Sequence, residues 1–98
     1  LKKLQKEITN WHKATFPEAT RENVVNKAKE ELSELMAELD DYVPHEVRLE
    51  NVIEESADVV IIISALLGRL GVNLNAAVRD KMNINKKRKW SADGMVRK

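Results

Sequence analysis

Apolar residues recur at three- and four-residue intervals along almost the whole chain, and no stretch alternates apolar with polar as a half-buried strand does. That spacing restricts the chain to packed helices. Glycine and proline are scarce, so the few breaks stand out. A first helix is expected over Leu1 to about Ala14, with Leu4, Ile8 and Trp11 on its buried stripe. Pro17 disfavours helical geometry at Phe16 and ends it. Thr20 is the expected N-cap of a second helix over Arg21 to Asp41, with Glu22 in its first turn to suit the dipole. Val24, Ala28, Leu32, Leu35 and Leu39 form its apolar stripe. A break at Tyr42-Val43 precedes a third helix from Pro44 to Arg69, amphipathic early and apolar on all sides later. A helix of that kind is central to its bundle or covered by a partner chain. Gly71 is the expected stop and Asn73 the cap of a fourth helix over Leu74 to Lys89, with a loop after Trp90. The expected fold is all-α, with four helices in a single domain over 1–98.

Acidic residues interrupt this pattern where apolar ones belong. Glu31 and Glu34 lie three apart on the second helix, with Glu38 a turn further; Glu55 and Asp58 lie three apart on the third. Residues at that spacing are neighbours on a helix surface. Each pair can therefore hold one hard cation from one side, and two pairs on packed antiparallel helices would face each other as a four-carboxylate cage. Glu31, Glu34 and Glu38 lie beside the Val24/Leu35 edge of the stripe, and Glu55 and Asp58 share a face with Val59, Ile62 and Leu66. Acids on a core-facing stripe are costly unless their charge is compensated. A single such pair is usually a solvated helix face; two on consecutive helices, the second running into the nine-residue apolar run Val59 to Leu67, are not so easily explained. All-oxygen ligands favour Mg²⁺ or Mn²⁺ over Zn²⁺.

Composition removes other classes. Seventeen basic and sixteen acidic residues give a net charge of +1, which exerts no whole-chain pull toward nucleic acid or membrane, although Arg79 to Lys98 is basic. The chain has no cysteine, which excludes disulfides and thiolate metal sites and makes a reducing cytoplasm the expected location. No signal-peptide pattern is visible, and the run Val59 to Leu67 is far short of the roughly 20 residues a membrane helix needs. There is no glycine-rich phosphate loop, and no ExxH pair of a di-iron bundle. His12 and His45 read as surface histidines.

Glu30-Glu31-x-x-Glu34 followed by Glu55-x-x-Asp58 resembles the EExxE…ExxD signature of the MazG-like pyrophosphohydrolases, within the all-α NTP pyrophosphohydrolase superfamily. Trp11-His12 with Thr15 to Thr20 resembles the entry stretch of a dATP/dGTP-type branch met in phages and bacteria, and Lys81, Asn85 and Arg88 resemble its C-terminal Lys/Asn/Arg set. The likeness runs from about Ile8 to Trp90. It implies a MazG-like helical bundle completed by dimerisation, as a homo-oligomeric dimer or tetramer. It also implies Mg²⁺-dependent hydrolysis of a nucleoside triphosphate to monophosphate and pyrophosphate, with Mn²⁺ as a substitute and dATP/dGTP favoured. Carried over, Glu31, Glu34, Glu55 and Asp58 are the metal ligands. Glu38 lies behind them or acts as the base, and Glu30 turns away.

The remaining candidates each have two readings. Lys81, Asn85 and Arg88 fall at i, i+4 and i+7, one helix face; this is a solvated basic helix end, or with the resemblance a phosphate-binding face. Lys27 pairs with Glu31 or touches phosphate, the former being favoured. Trp11 stacks on a base or belongs to the core, Phe16 leans toward the core, and Trp90 is a lid or a packing residue. The competing functions are a non-catalytic dimeric helical interaction module and a nucleic-acid binder using the basic end. Charge balance and inward-facing acids count against the last, so no stable nucleic-acid partner and no membrane are expected.

Overall fold

The computed structural model describes residues 1–40 and 49–94. Four helices make up the fold: α1 (Lys2–Thr15), α2 (Arg21–Asp40), α3 (Leu49–Arg69) and α4 (Leu74–Lys87). The expected break at Tyr42-Val43, the Pro44 start and His45 lie outside the described residues. α3 is the hub: α2 packs along one side of it and α1 along another, while α1 and α2 do not pack on each other. α4 touches only α1 and α3. Among the described residues, no single helix is long and apolar enough to cross a membrane.

The breaks follow local chemistry. Thr20 Oγ1 accepts from the Asn23 amide at 3.1 Å, and Asn23 Oδ1 accepts from the Thr20 amide at 3.0 Å, a reciprocal capping box that starts α2. Gly71 has φ +75, which an L side chain rarely adopts, and the Val72 and Gly71 amides donate back to the Leu67 and Gly68 carbonyls. This left-handed stop ends α3. Asn73 Oδ1 then accepts from the Ala76 amide at 3.1 Å and caps α4.

The interior differs from the expected apolar stripes. On α1 the buried residues are Gln5, Ile8, Thr9 and His12, whereas Leu4 and Trp11 are half exposed. Polar groups can turn inward because each has partners. Gln5 Nε2 donates to the Ser64 carbonyl (3.3 Å) and the Val72 carbonyl (2.9 Å), and its Oε1 accepts from the Leu74 amide (2.9 Å). One side chain thus ties α1 to α3, to the turn and to the first residue of α4. Thr9 returns its hydroxyl proton to the Gln5 carbonyl at 2.7 Å and lies directly against Gly68, where α1 and α3 pack closest. On α2, Leu32 and Leu39 face out. The side turned to α3 is Val24, Ala28, Glu31, Leu35 and Glu38, a seven-residue repeat with carboxylates in two of its places. The expected helix over Leu74 to Lys89 is two residues too long: Arg88 is the C-cap with extended backbone, and Trp90 Nε1 donates to the Asn85 carbonyl at 2.7 Å. Trp90 therefore packs the helix end.

A methyl group at position 68 would occupy the space of Thr9 Oγ1. Gly68→Ala should destabilise the fold by about 1–3 kcal/mol in urea unfolding, despite alanine's better helix propensity. Thr9→Ala removes Oγ1 but leaves a Cβ that remains a tight contact, so the double variant should recover part of that loss. Simple additivity of the two changes would contradict this packing.

Candidate active site

α2 runs antiparallel to α3: Glu31 lies near Glu55, and Val24 lines the same wall as Ile62. The seven-residue repeat of α2 therefore presents Glu31 to the place where the matching repeat of α3, Val52, Glu55, Val59, Ile62 and Leu66, presents Glu55. Glu31, Glu34 and Glu55 each offer a carboxylate oxygen within 4.8 Å of the others.

These carboxylates are incompletely partnered. Glu31 is only 8% exposed. Its Oε1 pairs with Lys27 Nζ at 3.0 Å, but its Oε2 is buried without a hydrogen-bond partner. Glu55 Oε2 and Glu38 Oε2 are in the same condition. Lys27 also reaches Glu30 at 3.5 Å, on the exposed side. Its ammonium is held above the ordinary lysine range chiefly by the hydrogen bond to Glu31. Repulsion from Glu31 first, then desolvation and the charge of Glu55, pushes the Glu34 carboxyl above its usual value. An orphaned buried oxygen on each of two facing helices, beside a third carboxyl forced toward protonation, is the donor set a divalent oxygen-seeking cation fits.

A cleft of about 330 Å³ opens beside the acids, between α1 and α2, with α3 as its floor. Lys27, Glu31 and Asp58 line its acidic end; Trp11, His12, Phe16, Ile61 and Val24 line the rest. Trp11 and Phe16 meet edge to face, with ring centroids 5.7 Å apart, and His12 lies 5.0 Å from Phe16. Phe16 is 45% exposed and Trp11 51%, so neither belongs to the core; both are cleft walls.

The structure thus brings together Glu31, Glu34 and Glu55, with Asp58 and Lys27 on the same cleft and Glu38 one turn beyond Glu34. It does not bring Lys81, Asn85 and Arg88 there. No α4 residue lines the cleft, and Arg88 is the C-cap that follows α4. His12, expected at the surface, is 5% exposed because Arg69 reaches its Nδ1. Arg69 and Asn23 also went unnoticed in the sequence. The available signals were an arginine seven residues after Ile62 on the same face, and Asn23 three residues after a capping threonine.

An all-α protein with three carboxylates from two adjacent helices gathered at one point, and an apolar cleft beside them, has a donor set suited to cation-dependent phosphate chemistry. No family model matches the chain. The dATP/dGTP diphosphohydrolase of Cyanophage S-2L is 34% identical over 88 residues, covering 90% of this chain and 75% of that protein. The dATP/dGTP diphosphohydrolase of Salmonella phage PMBT28 is 33% identical over 87 residues, 89% of this chain. The chain spans about a quarter of that longer protein, 27% of its length. The fold superposes with a TM-score of 0.67 on the Cyanophage S-2L MazG-like pyrophosphohydrolase bound to dGDP and three catalytic Mn²⁺ ions per active site. The identity is 31%, over 97% of this chain and 92% of that one. The chain belongs to this MazG-like pyrophosphohydrolase family.

The raised pKa of Glu34 sets a pH dependence for the cation-free protein. The folded value lies above the unfolded one, near 4.5. Protonation therefore favours the fold, fully below the unfolded value, and the contribution is lost as pH rises through the folded value. Glu34→Gln should be more stable than wild type in EDTA at neutral pH, with the gap closing as pH falls through the raised value in thermal unfolding. A gap independent of pH would mean that Glu34 is not repelled by its neighbours.

Proposed function

We infer that this chain hydrolyses deoxynucleoside triphosphates, purine forms favoured, to the monophosphate and pyrophosphate, with Mg²⁺ as cofactor and Mn²⁺ as a substitute. The observation that carries this reading is the pair of buried, unpartnered carboxylate oxygens of Glu31 and Glu55, facing each other across α2 and α3 at the edge of an aromatic cleft. Its two relatives, named as dATP/dGTP diphosphohydrolases, support the same reading.

The cleft divides a nucleotide by chemistry. Asn23, at the aromatic end, and Glu31, at the acidic end, are eight residues apart on α2, about 12 Å along the axis. A planar base fits between Trp11, Phe16 and Ile61, which leaves the phosphates at the carboxylates. Stacking there is sequence-tolerant and keeps water off the base. Glu31, Glu34, Glu55 and Asp58 would hold the cation. When bound, it neutralises phosphate charge and acidifies water for in-line attack at the α phosphorus, with pyrophosphate leaving. Lys27, released from Glu31 as the carboxylate takes up its ligand role, offers its ammonium to phosphate oxygens. Glu38, with a free buried oxygen one turn from Glu34, accepts the proton of the attacking water.

The chain acts as a homo-oligomer in this reading. Ile8, Val24, Ile62 and Ala65 are its buried apolar residues among those described, while Leu32, Met36 and Leu39 form an exposed row on α2, and Val60 and Ile63 remain open on α3. So small a core is marginal alone, and rows of that kind are what a second copy covers. Lys81, Asn85 and Arg88 reach phosphate only if assembly carries α4 to a neighbouring copy's carboxylates. A reducing cytoplasm suits a cysteine-free chain acting on the nucleotide pool.

Chromatography of products from a panel of dNTPs and NTPs should show monophosphate plus pyrophosphate with Mg²⁺ or Mn²⁺ and nothing in EDTA. Glu55→Gln should lower turnover at least about a hundredfold while the circular dichroism stays helical. Free Mn²⁺ at a hundred times its Kd should stabilise the wild type by about 2.7 kcal/mol. Diphosphate plus orthophosphate would move the cleavage site. A folded protein without turnover or metal stabilisation would leave the interaction module in its place.

A further inference from the structure

Two rings of the aromatic wall, Trp11 and His12, carry hydrogen-bonding atoms, and for His12 the structure determines what it can offer. Arg69 Nη1 lies 3.1 Å from its Nδ1, and Arg69 Nη2 donates to the Ala19 carbonyl at 3.0 Å. A guanidinium only donates, so Nδ1 must accept. A neutral imidazole that accepts at Nδ1 carries its proton on Nε2. The ring therefore keeps one donor, for which the described residues supply no hydrogen bond, and His12 is a lining residue of the cleft. The grip is rigid, because the same guanidinium holds the α1–α2 connection and Phe16 packs against the ring.

We propose that His12 reads the base: with Nδ1 occupied by Arg69, its Nε2–H donates to a ring nitrogen that adenine and guanine share. This rests on the reading that the cleft takes a purine deoxynucleotide. At the six-position adenine carries an amino group and guanine a carbonyl, so a fixed donor there would separate them. The ring acceptors N7 and N3 are common to both bases. A donor directed at one of them admits both purines. Arg69 is a positioning residue: it fixes the tautomer and touches no substrate.

The electrostatics agree. Burial first, and then the Arg69 charge, hold His12 below the ordinary histidine value. The charged groups facing the cleft with it are Lys27 and Glu31 from α2 and Asp58 from α3; none is paired with the ring among the described residues. The neutral, donor-bearing form is thus the resting one.

Two variants separate the ring's functions. His12→Asn places its amide oxygen near the Nδ1 position and keeps an acceptor for Arg69 while removing the donor. His12→Gln places its amide nitrogen near Nε2 and keeps the donor. Steady-state kinetics with dATP, dGTP and their 7-deaza and 3-deaza forms should show one deaza series with KM raised about 3- to 10-fold for wild type, kcat little changed. His12→Asn should show that rise with every purine and lose the discrimination; His12→Gln should restore part of it. In the ¹⁵N spectrum of the labelled wild type, His12 should carry its proton on Nε2. Equal KM for all three purine series in an active wild type, or discrimination unchanged in His12→Asn, overturns the proposal and leaves the hydrolase reading standing. Wild type inactive on every deoxynucleotide overturns that reading and this proposal with it.

Discussion

Repulsion among carboxylates at the α2–α3 interface is the constraint on which the rest of the structure depends. Glu31 and Glu55 sit at places in a helical repeat where an antiparallel pair of helices ordinarily buries leucine or valine. Lys27 compensates part of that charge, and only for one oxygen of Glu31. The other buried oxygens of Glu31, Glu38 and Glu55 stay unsatisfied, and a buried acceptor without a partner costs about 1–3 kcal/mol or more when charged. Other contacts hold α3 along a second side, against α1.

Those contacts are polar and local. Gln5 satisfies two carbonyls and one amide where α3 ends and α4 begins. Thr9 against Gly68, with Ser64 and Ala65 fully buried nearby, lets α1 approach α3 closely. Arg69, the last residue of α3, binds both His12 and the connection to α2. α1 therefore serves as a strut against α3. Because it never reaches α2, the space between them stays open as the cleft. The same geometry that braces the strained acids makes the binding groove beside them.

Local chemistry was legible in the sequence wherever one residue type dictates one outcome. Thr20, Gly71 and Asn73 act where their conformational and capping preferences place them, and the acids fall on the interface as their helical spacing requires. The interior of α1 was not legible. An apolar count selects Leu4 and Trp11 over Gln5, Thr9 and His12, whose burial depends on partners some sixty residues away in the chain. Leu32 and Leu39 misled for a related reason. Periodicity reports that a helix has an apolar face, not which of two adjacent faces meets its own chain. Arg88 was misplaced because a helix end set by Trp90 reaching back to the Asn85 carbonyl leaves no signal in propensity.

The two ends of the cleft also differ in what they can distinguish. The acidic end would meet phosphate through a bound cation, and phosphate charge is carried alike by every nucleotide. Walls such as Trp11, Phe16 and Ile61 favour a flat ring but reject a mismatched one by only a small factor, because apolar contact tolerates isosteres. A polar atom held in fixed orientation discriminates far more, since a wrong partner leaves it desolvated and unpaired. In this cleft the group that combines fixed orientation, a defined tautomer and a position among the aromatic rings is His12. The fold uses a half-buried arginine from its hub helix to keep it so. Selectivity and stability therefore meet at Arg69, at the far end of α3 from the carboxylates whose chemistry they serve.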